Sequence, residues 1–318
     1  MLQKDDVLIC KDGAGIGKVG IVGELPDRTT INSSLLLIRS GEEIHPKFLY
    51  RCLSSPYFQE IVNSRLNGAT TPHLYQRDIT EFPVVLPPLP EQQRIVTILD
   101  EAFDGIATAK TNAEKNLQNA RELFESHLQS VFTQCGEGWV ETTVDKISTN
   151  LDSKRIPITK NVRTSGEYPY YGASGIVDYV GDYIFEGNTL LVSEDGANLL
   201  ARSTPIAFSV SGKYWVNNHA HILKFENMAT QRFVEFYLES IKLDEYITGA
   251  AQPKLNQKAL NSIPIPIPRS VEAQARTVES IESLQEETQR LESLYQRKLA
   301  ALDALKKSLL HQAFSGQL

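Results

Sequence analysis

The chain contains the same pattern twice, and this duplication constrains its fold more than any other feature of the sequence. Short words from the first part recur in the same order roughly 180 residues later. The matched blocks pair residues 6–14 with 189–197, 31–34 with 216–219, 68–74 with 249–255, 82–87 with 263–268, and 126–134 with 308–316. A chain with such an internal repeat is predicted to build one structural unit twice.

Each copy reads as a β-rich globular part, a short helical stretch, a proline-rich strap and a long helix. The straps at 82–90 and 263–268 cannot be helical, because proline removes a donor and forces its predecessor into an extended shape. Long helices are predicted from about residue 91 to 134 and from about 271 to 314. Each would be about 65 Å long at 1.5 Å per residue, and Gly105 is expected to bend the first.

The second long helix carries an apolar seam. Its members recur at coiled-coil spacing, and they are Leu284, Leu291, Tyr295, Leu302, Leu305 and Leu309. Thr288 and Lys298 are expected to interrupt the seam. A stripe with this spacing seeks a partner helix, and the repeat identifies the first long helix of the same chain as that partner.

Length and composition indicate an ordinary globular protein with room for two domains. Apolar residues make up 41% of its 318 residues and charged residues 22%. Three cysteines, far apart, support neither a disulfide framework nor a zinc site, and a reducing cytoplasm is the expected location. No stretch resembles a signal peptide or a membrane span. The net charge of −7 disfavours a generic nucleic-acid binder but leaves room for a local basic face.

No catalytic arrangement is recognisable in the sequence. The glycine-rich run 13–19 departs from a phosphate-binding loop, because its glycine spacing is short and Val19 cannot bind magnesium. A turn between two strands is predicted there instead. His219 and His221 are placed on one side of a strand and are interpreted as hydrogen-bonding or contact residues, with no metal predicted.

The binding signals are concentrated in the second copy. Residues 153–165 contain four cations and no acid, a pattern typical either of a solvated loop or of a surface that neutralises phosphates. Tyr170 and Tyr171 in the next stretch fit base or sugar contact and core packing equally well. Amides at turn positions can read adenine, and lysine can read guanine or phosphate. The predicted DNA-binding set is Lys154, Arg155, Lys160, Arg163, Tyr170, Tyr171, Ser174, Asn198, Lys213, Asn217, Asn218, His219, Gln252, Lys254 and Asn256.

Several of these stretches resemble one known family. They are the loop 168–175, the strand and turn 187–196, the segment 252–256, the straps 86–96 and 265–269, and the ending 309–318. The most specific are the Pro-Pro-Leu-Pro-Glu-Gln-Gln-Arg-Ile-Val run and the Ala-Phe-Ser-Gly near the end. Together they make the chain similar to the DNA-specificity subunits of type I restriction-modification systems.

The resemblance implies an α+β protein in which two β-rich target-recognition domains are separated by two long antiparallel helices that form a coiled coil. The expected boundaries are 1–88 for a partial first recognition domain, 89–135 for the first spacer helix, 136–268 for a complete second recognition domain and 269–318 for the second spacer helix. Such a subunit is non-catalytic and binds double-stranded DNA, methyltransferase subunits and a restriction subunit. S-adenosylmethionine is expected in the methyltransferase partner and no cofactor in this chain.

The first copy departs from that pattern, since it has no counterpart of residues 139–186. Two hypotheses follow for the DNA reader: one working domain that reads a half-site of a bipartite target, or a pair of readers restored by dimerisation. An alternative function is a coiled-coil scaffold that has lost part of its DNA reading. A nucleotide-binding enzyme built on the glycine run 13–19 is a further alternative.

Overall fold

The computed structural model describes residues 1–66, 73–249 and 251–318. It is a mixed α+β protein with long helices between β-rich parts, which confirms the predicted fold class. Its compact units are unit 1, Met1–Gln118 with Glu292–Leu318, and unit 2, Asn119–Leu291. Most of the first block in the repeat pair 68–74 and 249–255 lies outside the described residues, as does residue 250.

Unit 1 contains a small antiparallel sheet covered by helices. Its strands, in the order β2-β1-β3, are β1 (Val7–Cys10), β2 (Val19–Ile21) and β3 (Leu35–Ile38). The helices that follow are α1 (Pro46–Leu53), α2 (Pro56–Leu66), α3 (Gln76–Thr80) and the long α4 (Leu89–Thr133), of which residues up to 118 belong to this unit. Val7 and Ile9 pack on Leu49, Leu53, Phe58 and Leu74 to form the core.

The glycine run of unit 1 makes the predicted turn between β1 and β2. Gly13 and Gly17 both have positive φ, 74° and 80°, a backbone region that favours glycine. At Gly17 a Cβ would also lie 2.8 Å from Cγ1 of Val62, so a side chain would displace α2. The amide of Gly17 donates to the carbonyl of Cys10 and closes the turn.

Unit 2 contains more strands. They are β4 (Trp139–Thr143), β5 (Thr149–Asn150), β6 (Ser165–Gly172), β7 (Gly175–Val180), β8 (Phe185–Glu186), β9 (Thr189–Ser193), β10 (Ala207–Val210), β11 (Lys213–Val216), β12 (Ala220–Lys224), β13 (Ile247–Thr248), β14 (Lys254–Leu255) and β15 (Pro264–Pro268). The helices are α5 (Val144–Ile147), α6 (Asn198–Ala201), α7 (Met228–Ser240), α8 (Gln257–Ser262) and the long α9 (Val271–Phe314), of which residues up to 291 belong to this unit.

The strands of unit 2 form two four-stranded sheets and two short pairs. The sheets have the orders β10-β9-β12-β5 and β7-β6-β11-β8, and β13 pairs with β14 and β15 with β4. All five residues of β9 are buried, as expected for a central strand. Its Leu190 and Val192 join Phe233 and Val234 of α7 in the main core, and Leu191 joins Tyr214 of β11 in a second cluster.

The long helices match the predicted positions, and α4 continues through Gly105. Within unit 1 they run antiparallel, because Lys110 binds Asp303 at 2.7 Å while Arg94 donates to the carbonyl of Leu318 at 3.0 Å. Ile95, Leu99, Phe103 and Ile106 of α4 form one cluster with Leu310 and Ala313 of α9. Among the described residues no helix is long and apolar enough to span a membrane.

The apolar seam of α9 differs from the prediction in detail. Leu284, Leu291, Tyr295, Leu302 and Leu309 are half-buried, but Leu305 is 46% exposed and lies off the buried side. Thr288 is only 7% exposed, so it belongs to the seam that it was expected to interrupt. Lys298 is exposed and the neighbouring Leu299 is half-buried, so this lysine does not interrupt the seam. The prediction counted leucines at multiples of seven residues, and it therefore missed buried seam positions such as Thr288 and Leu299.

Each long helix contributes residues to both compact units. The end of α4 contributes Leu128 and Phe132 to the core of unit 2, and the end of α9 contributes Leu310 and Ala313 to unit 1. Each long helix is therefore part of a hydrophobic cluster in each unit, and the division into spacer helices and recognition domains stays a prediction.

A pair of aromatic rings fastens the end of a long helix in each unit. Phe314 of α9 packs edge-on against Phe48 of α1, with ring centroids 5.2 Å apart. Phe132 of α4 packs in the same way against Phe233 of α7, at 5.3 Å. The repeat aligns Phe314 with Phe132, so the duplicated sequence words place equivalent rings at equivalent contacts. Edge-to-face pairs of this kind add about 1 kcal/mol beyond their buried area.

A buried glutamine connects the strap to the long helix in each unit. Gln92 donates to the carbonyls of Pro87 and Glu43 and accepts the amide of His45, which precedes α1. Gln274 donates to the carbonyl of Pro268 at 2.8 Å and accepts the hydroxyl of Thr230 in α7 at 2.6 Å. Each side chain satisfies polar groups that the strap would otherwise leave buried without a partner.

Gln274→Leu is therefore expected to lower the free energy of unfolding of unit 2 by about 1–3 kcal/mol, because it removes the buried amide and leaves the carbonyl of Pro268 and the hydroxyl of Thr230 without that partner. Urea denaturation followed by tryptophan fluorescence measures this, since Trp139 and Trp215 both lie in unit 2. Gln289→Leu is the matched control, as Gln289 is exposed on the same helix. Equal stability of the two variants would contradict the role assigned to Gln274.

Candidate nucleic-acid interface

Several loops of unit 2 converge at the end of β9, and we refer to them as the loop cluster. It comprises residues 152–158, 172–175, 193–198, 217–221 and 252–256. Backbone hydrogen bonds join these segments: the amide of Glu194 donates to the carbonyl of His219, and the amide of Gly196 to that of Pro253. The hydroxyl of Ser193 donates to the carbonyl of Ala173. Much of the predicted DNA-binding set thus lies at one end of the domain.

Glu194 is the central charge of the loop cluster. Its carboxylate accepts Nη1 of Arg155 at 2.6 Å and Nζ of Lys254 at 3.1 Å. Burial opposes ionisation of Glu194, but the hydrogen bonds from Arg155 and Lys254 and the nearby His221 hold its pKa below the usual value. Arg155 also donates to the carbonyl of Ala220. The guanidinium of Arg155 is therefore paired with partners within unit 2.

Beside Glu194, His221 and Asp152 form a second buried pair. Nδ1 of His221 lies 2.5 Å from Oδ2 of Asp152, and Nε2 lies 2.7 Å from the carbonyl oxygen of Leu255. Both neighbours can accept a hydrogen bond, so each ring nitrogen of His221 has a partner. Burial opposes ionisation of Asp152, yet His221, the amide of Ile222 and Arg155 together lower its pKa.

Asp152, Glu194 and His221 each offer a potential metal-ligand atom, all within 4.8 Å of one another. Those atoms already have partners: Arg155 and Lys254 neutralise Glu194, and His221 uses both nitrogens. A cation there would have to displace positive groups that are already bound. The arrangement fits an internal ion network better than a metal centre, and the absence of a bound metal stays a prediction.

Arg163 and Tyr170 form a packing unit in the structure. Tyr170 is 1% exposed, and the guanidinium of Arg163 lies 4.3 Å from the centre of its ring. Arg163 also binds Asp178 at 3.0 Å and the carbonyl of Ile158. Tyr171 packs on Tyr214, and burial raises its pKa. For these tyrosines the core-packing alternative describes the contacts better than base contact.

The predicted amides fall into two groups. Asn198 holds the backbone of Thr204, Asn217 accepts the amide of His219, and Asn256 caps α8 by accepting the amide of Ala259. These side chains shape the loops. In contrast, Ser174, Asn218 and Gln252 are exposed, and within the described residues their side chains have no hydrogen-bond partner.

The remaining predicted residues are exposed cations and one histidine. Lys154 and Lys160 form no ion pair within the ranges that the structure describes. Lys213 lies at the start of β11, with Nζ 4.6 Å from the ring centre of Tyr183, whose hydrogen bond raises the pKa of the lysine. His219 is half-exposed and binds Asp195 at 2.9 Å. Lys254 is half-exposed despite its contact with Glu194.

Sequence reasoning missed the carboxylates of the loop cluster. Asp152 immediately precedes the run 153–165 that was described as free of acids, and Glu194 and Asp195 lie in the turn that follows β9. Arg155 and Glu194 are 39 positions apart, so no local pattern pairs them. The available signal was local sequence: a Glu-Asp dipeptide directly after a strand with an apolar Leu-Leu-Val centre predicts partly buried acids that need cations.

Comparison with known proteins places these features in a family. The profile described as "Type I restriction modification DNA specificity domain" matches residues 1–118 and 136–298. A putative type I restriction enzyme specificity subunit of Haemophilus influenzae is 37% identical over 125 residues, which is 39% of this chain and 32% of that protein. The specificity subunit of the Escherichia coli type I enzyme EcoDI is 29% identical over 92 residues, 29% of this chain and 21% of that protein. These alignments thus span about a third and a fifth of the relatives' lengths.

Solved structures show the same fold. A chain from a structure described as the basis of complex assembly and conformational transition of the type I R-M system has a TM-score of 0.84 at 18% identity, covering 100% of this chain and 83% of that one. The HsdS subunit from Thermoanaerobacter tengcongensis has a TM-score of 0.67 at 17% identity, with coverages of 100% and 82%.

The ion network predicts how the stability of unit 2 depends on pH. Because the folded-state pKa values of Asp152 and Glu194 are lowered, their contribution is present above about pH 4 and is lost as the pH falls through the folded values. Asp152→Asn is expected to lower the free energy of unfolding by about 3 kcal/mol at pH 7 and to flatten the loss in acid. Urea denaturation at a series of pH values, followed by Trp215 fluorescence, tests this.

Trp215 is a suitable reporter, because its indole donates to the carbonyl of Ile156 in the loop cluster. Asp182→Asn is the control, since Asp182 is exposed and accepts only the adjacent amide of Tyr183 among the described contacts. An acid profile of Asp152→Asn that parallels the unaltered protein would contradict the ion-network assignment.

Proposed function

Because the chain belongs to the family defined by the type I restriction modification DNA specificity domain, we propose that it is a non-catalytic specificity subunit whose unit 2 reads a DNA half-site. The observation that carries the proposal is the loop cluster. It brings exposed amides and cations of distant sequence segments to one end of a rigid β-rich domain. Recognition residues on loops held by a buried scaffold are the common design of binding sites.

The exposed members of the set divide by chemistry. Lys154 and Lys160 are suited to phosphate contacts, which fix register without reading sequence. Asn218 and Gln252 carry unpaired amides that can make bidentate hydrogen bonds to adenine in the major groove. Arg155, Arg163 and Tyr170 support the loops from inside, so their contribution to binding would be indirect.

We extend the proposal to partners that the family resemblance implies. The half-site belongs to a bipartite target, and the long helices scaffold methyltransferase and restriction subunits. S-adenosylmethionine is then held by the methyltransferase and not by this chain. The described cysteines are unpaired, which supports the proposed location in a reducing cytoplasm.

The phosphate-contact residues are tested by their salt dependence. The double variant Lys154→Ala/Lys160→Ala is expected to weaken DNA binding and to reduce the slope of log affinity against log salt by about 2, since each lost phosphate contact removes about 0.9. Fluorescence anisotropy with a duplex selected from a random library, with the methyltransferase partner present, measures both quantities.

The matched control is Lys224→Ala/Lys242→Ala, which removes equal charge at exposed positions of unit 2 outside both the loop cluster and the cationic run 153–165. An unchanged slope in the first variant, or an equal change in the control, would refute the assignment. Failure to select any preferred duplex would favour the alternative of a coiled-coil scaffold that no longer reads DNA.

The base-reading residues are tested by specificity. Gln252→Ala and Asn218→Ala are expected to relax the preference at individual base pairs by about 1–3 kcal/mol while leaving the salt slope unchanged. Competition between single-substituted duplexes reports each position. Gln289→Ala on α9 serves as the control. Uniform weakening across all duplexes would show that these amides position the protein and do not read bases.

A further inference from the structure

The turn between β6 and β7 belongs to the loop cluster and is tightly built. The two strands form a hairpin in which Gly172 lies opposite Gly175, so Ala173 and Ser174 make the turn. Gly175 has a φ of 120°, a backbone region that favours glycine. The hydroxyl of Ser193 donates to the carbonyl of Ala173 and holds the tip of the hairpin against the end of β9.

Val177 is the extra residue of a β-bulge just beyond that turn. Tyr171 lies opposite Ile176, but the next pair joins Tyr170 to Asp178, so the pairing skips Val177. A bulged residue leaves the regular alternation of the strand, and the bulge itself aims its side chain. Val177 is 55% exposed. The bulge therefore places an aliphatic side chain in solvent on β7, which is an edge strand of its sheet.

Gly172 makes room for Val177 beside the amides of the loop cluster. A Cβ at Gly172 would lie 2.9 Å from Cγ1 of Val177 and 3.3 Å from Nδ2 of Asn217. Both side chains thus lie against the same side of this glycine. The backbone amide of Asn217 donates to the carbonyl of Tyr171 and fixes the two segments together. Val177 is therefore a neighbour of the segment 217–218, in which the amide of Asn218 is exposed.

The strand is also held on the far side of the bulge. Asp178 accepts Nη1 of Arg163 at 3.0 Å, and the guanidinium of Arg163 lies 4.3 Å from the ring centre of Tyr170. Ile176 and Asp178 are both paired across the hairpin, so the backbone of Val177 is fixed at both ends. A valine side chain is itself stiff at χ1. A contact made by this side chain therefore costs little ordering entropy.

The surroundings of Val177 indicate what kind of partner it contacts. A bulge interrupts the row of backbone groups along an edge strand, so a further polypeptide strand cannot pair regularly with β7. The exposed polar neighbours, Ser174 and Asn218, carry a hydroxyl and an amide, which are groups that hydrogen-bond to base edges. The apolar group that a base edge offers in the major groove is the C5-methyl group of thymine.

We propose that Val177 contacts the C5-methyl group of a thymine in the half-site, next to a base pair read by the amide of Asn218. The inference rests on the proposed function of unit 2 and adds an apolar contact to the polar ones assigned there. Successive nucleotides rise about 3.4 Å along a duplex, so an amide and an aliphatic group on adjoining segments can reach neighbouring base pairs. The contact distinguishes thymine from cytosine, which lacks the methyl group.

The first test changes only the DNA and so does not depend on the folding of a variant. In the duplex selected from the random library, each thymine is replaced in turn by deoxyuridine, which removes the C5-methyl group alone. Fluorescence anisotropy with the methyltransferase partner present is expected to show about a fourfold loss of affinity at a thymine of the half-site, as for one buried methyl-sized group. A half-site that tolerates every replacement, or that contains no thymine, overturns the proposal.

The second test assigns the methyl contact to Val177. Val177→Ala is expected to lower affinity about fourfold and to abolish the effect of that one replacement, because the thymine methyl then has no aliphatic partner. Val177→Ile keeps an aliphatic side chain and is expected to keep the effect. Val271→Ala is the matched control, since Val271 is 42% exposed in unit 2 and lies outside the loop cluster. A Val177→Ala chain that is as sensitive to deoxyuridine as the unaltered chain overturns the assignment.

The outcomes separate the thymine contact from the function on which it rests. Failure to select any preferred duplex counts against DNA reading by unit 2 and overturns both. A preferred duplex whose recognition Gln252→Ala relaxes, but which tolerates deoxyuridine at every position, overturns the thymine contact alone. Equal weakening of Val177→Ala on selected and random duplexes also overturns it, because Val177 then contacts the DNA backbone or a protein partner.

Discussion

The pairing of Glu194 with Arg155 and Lys254 is the interaction on which the loop cluster of unit 2 depends. Three loops that are distant in sequence meet at this carboxylate, and the neighbouring pair of His221 and Asp152 ties in β12 and the backbone of Leu255. Breaking one member of such a network leaves an uncompensated buried charge, which costs more than the pair itself contributes. The ion network therefore holds the loops in one geometry, which a hydrophobic contact between exposed loops could not do. The amides of Asn218 and Gln252 and the side chain of Lys154 stay exposed.

Unit 1 is built from the same repeat but has different residues at the positions of this ion network. Leu36 stands where unit 2 has His221, Lys11 where it has Glu194, and His73 where it has Lys254. In unit 2 the carboxylate of Asp152 binds His221 and the guanidinium of Arg155 binds Glu194, and the repeat gives neither Asp152 nor Arg155 a counterpart in unit 1. Leu36 needs no such partner, because its side chain has no polar group to satisfy. The isolated antiparallel β-bridge between Asp12 and His73 matches the one between Asp195 and Lys254. The backbone pairing of this turn is therefore the same in both units.

The sequence predicted what depends on local or periodic patterns. The duplication and the two long helices follow from segments that recur in both copies, and the glycine turn and the family follow from segments with a specific local sequence. It did not predict the contacts of Arg155, Arg163 or Tyr170, because their partners Glu194, Asp178 and Ile158 lie 12 to 39 positions away. The run 153–165 fitted either a solvated loop or a phosphate-neutralising surface, and two of its cations, Arg155 and Arg163, bind carboxylates within unit 2. The seam of α9 was misplaced at Leu305 and Thr288 because burial on a helix that is part of two cores follows both neighbours and not one heptad register.

On the proposed function, the charge distribution limits what this chain can contribute to affinity on its own. The net charge is −7, and Arg155, Arg163 and Lys254 each face a carboxylate. Each lysine that contacts a phosphate contributes through released counterions, so a loop cluster with few unpaired cations gives a shallow salt dependence and weak non-specific binding. Contacts to the bases then determine which DNA sequence is preferred, and they contribute less to the total binding affinity. Tight binding requires cations from elsewhere in an assembly, which connects the proposed reader role of unit 2 with the proposed scaffold role of the long helices.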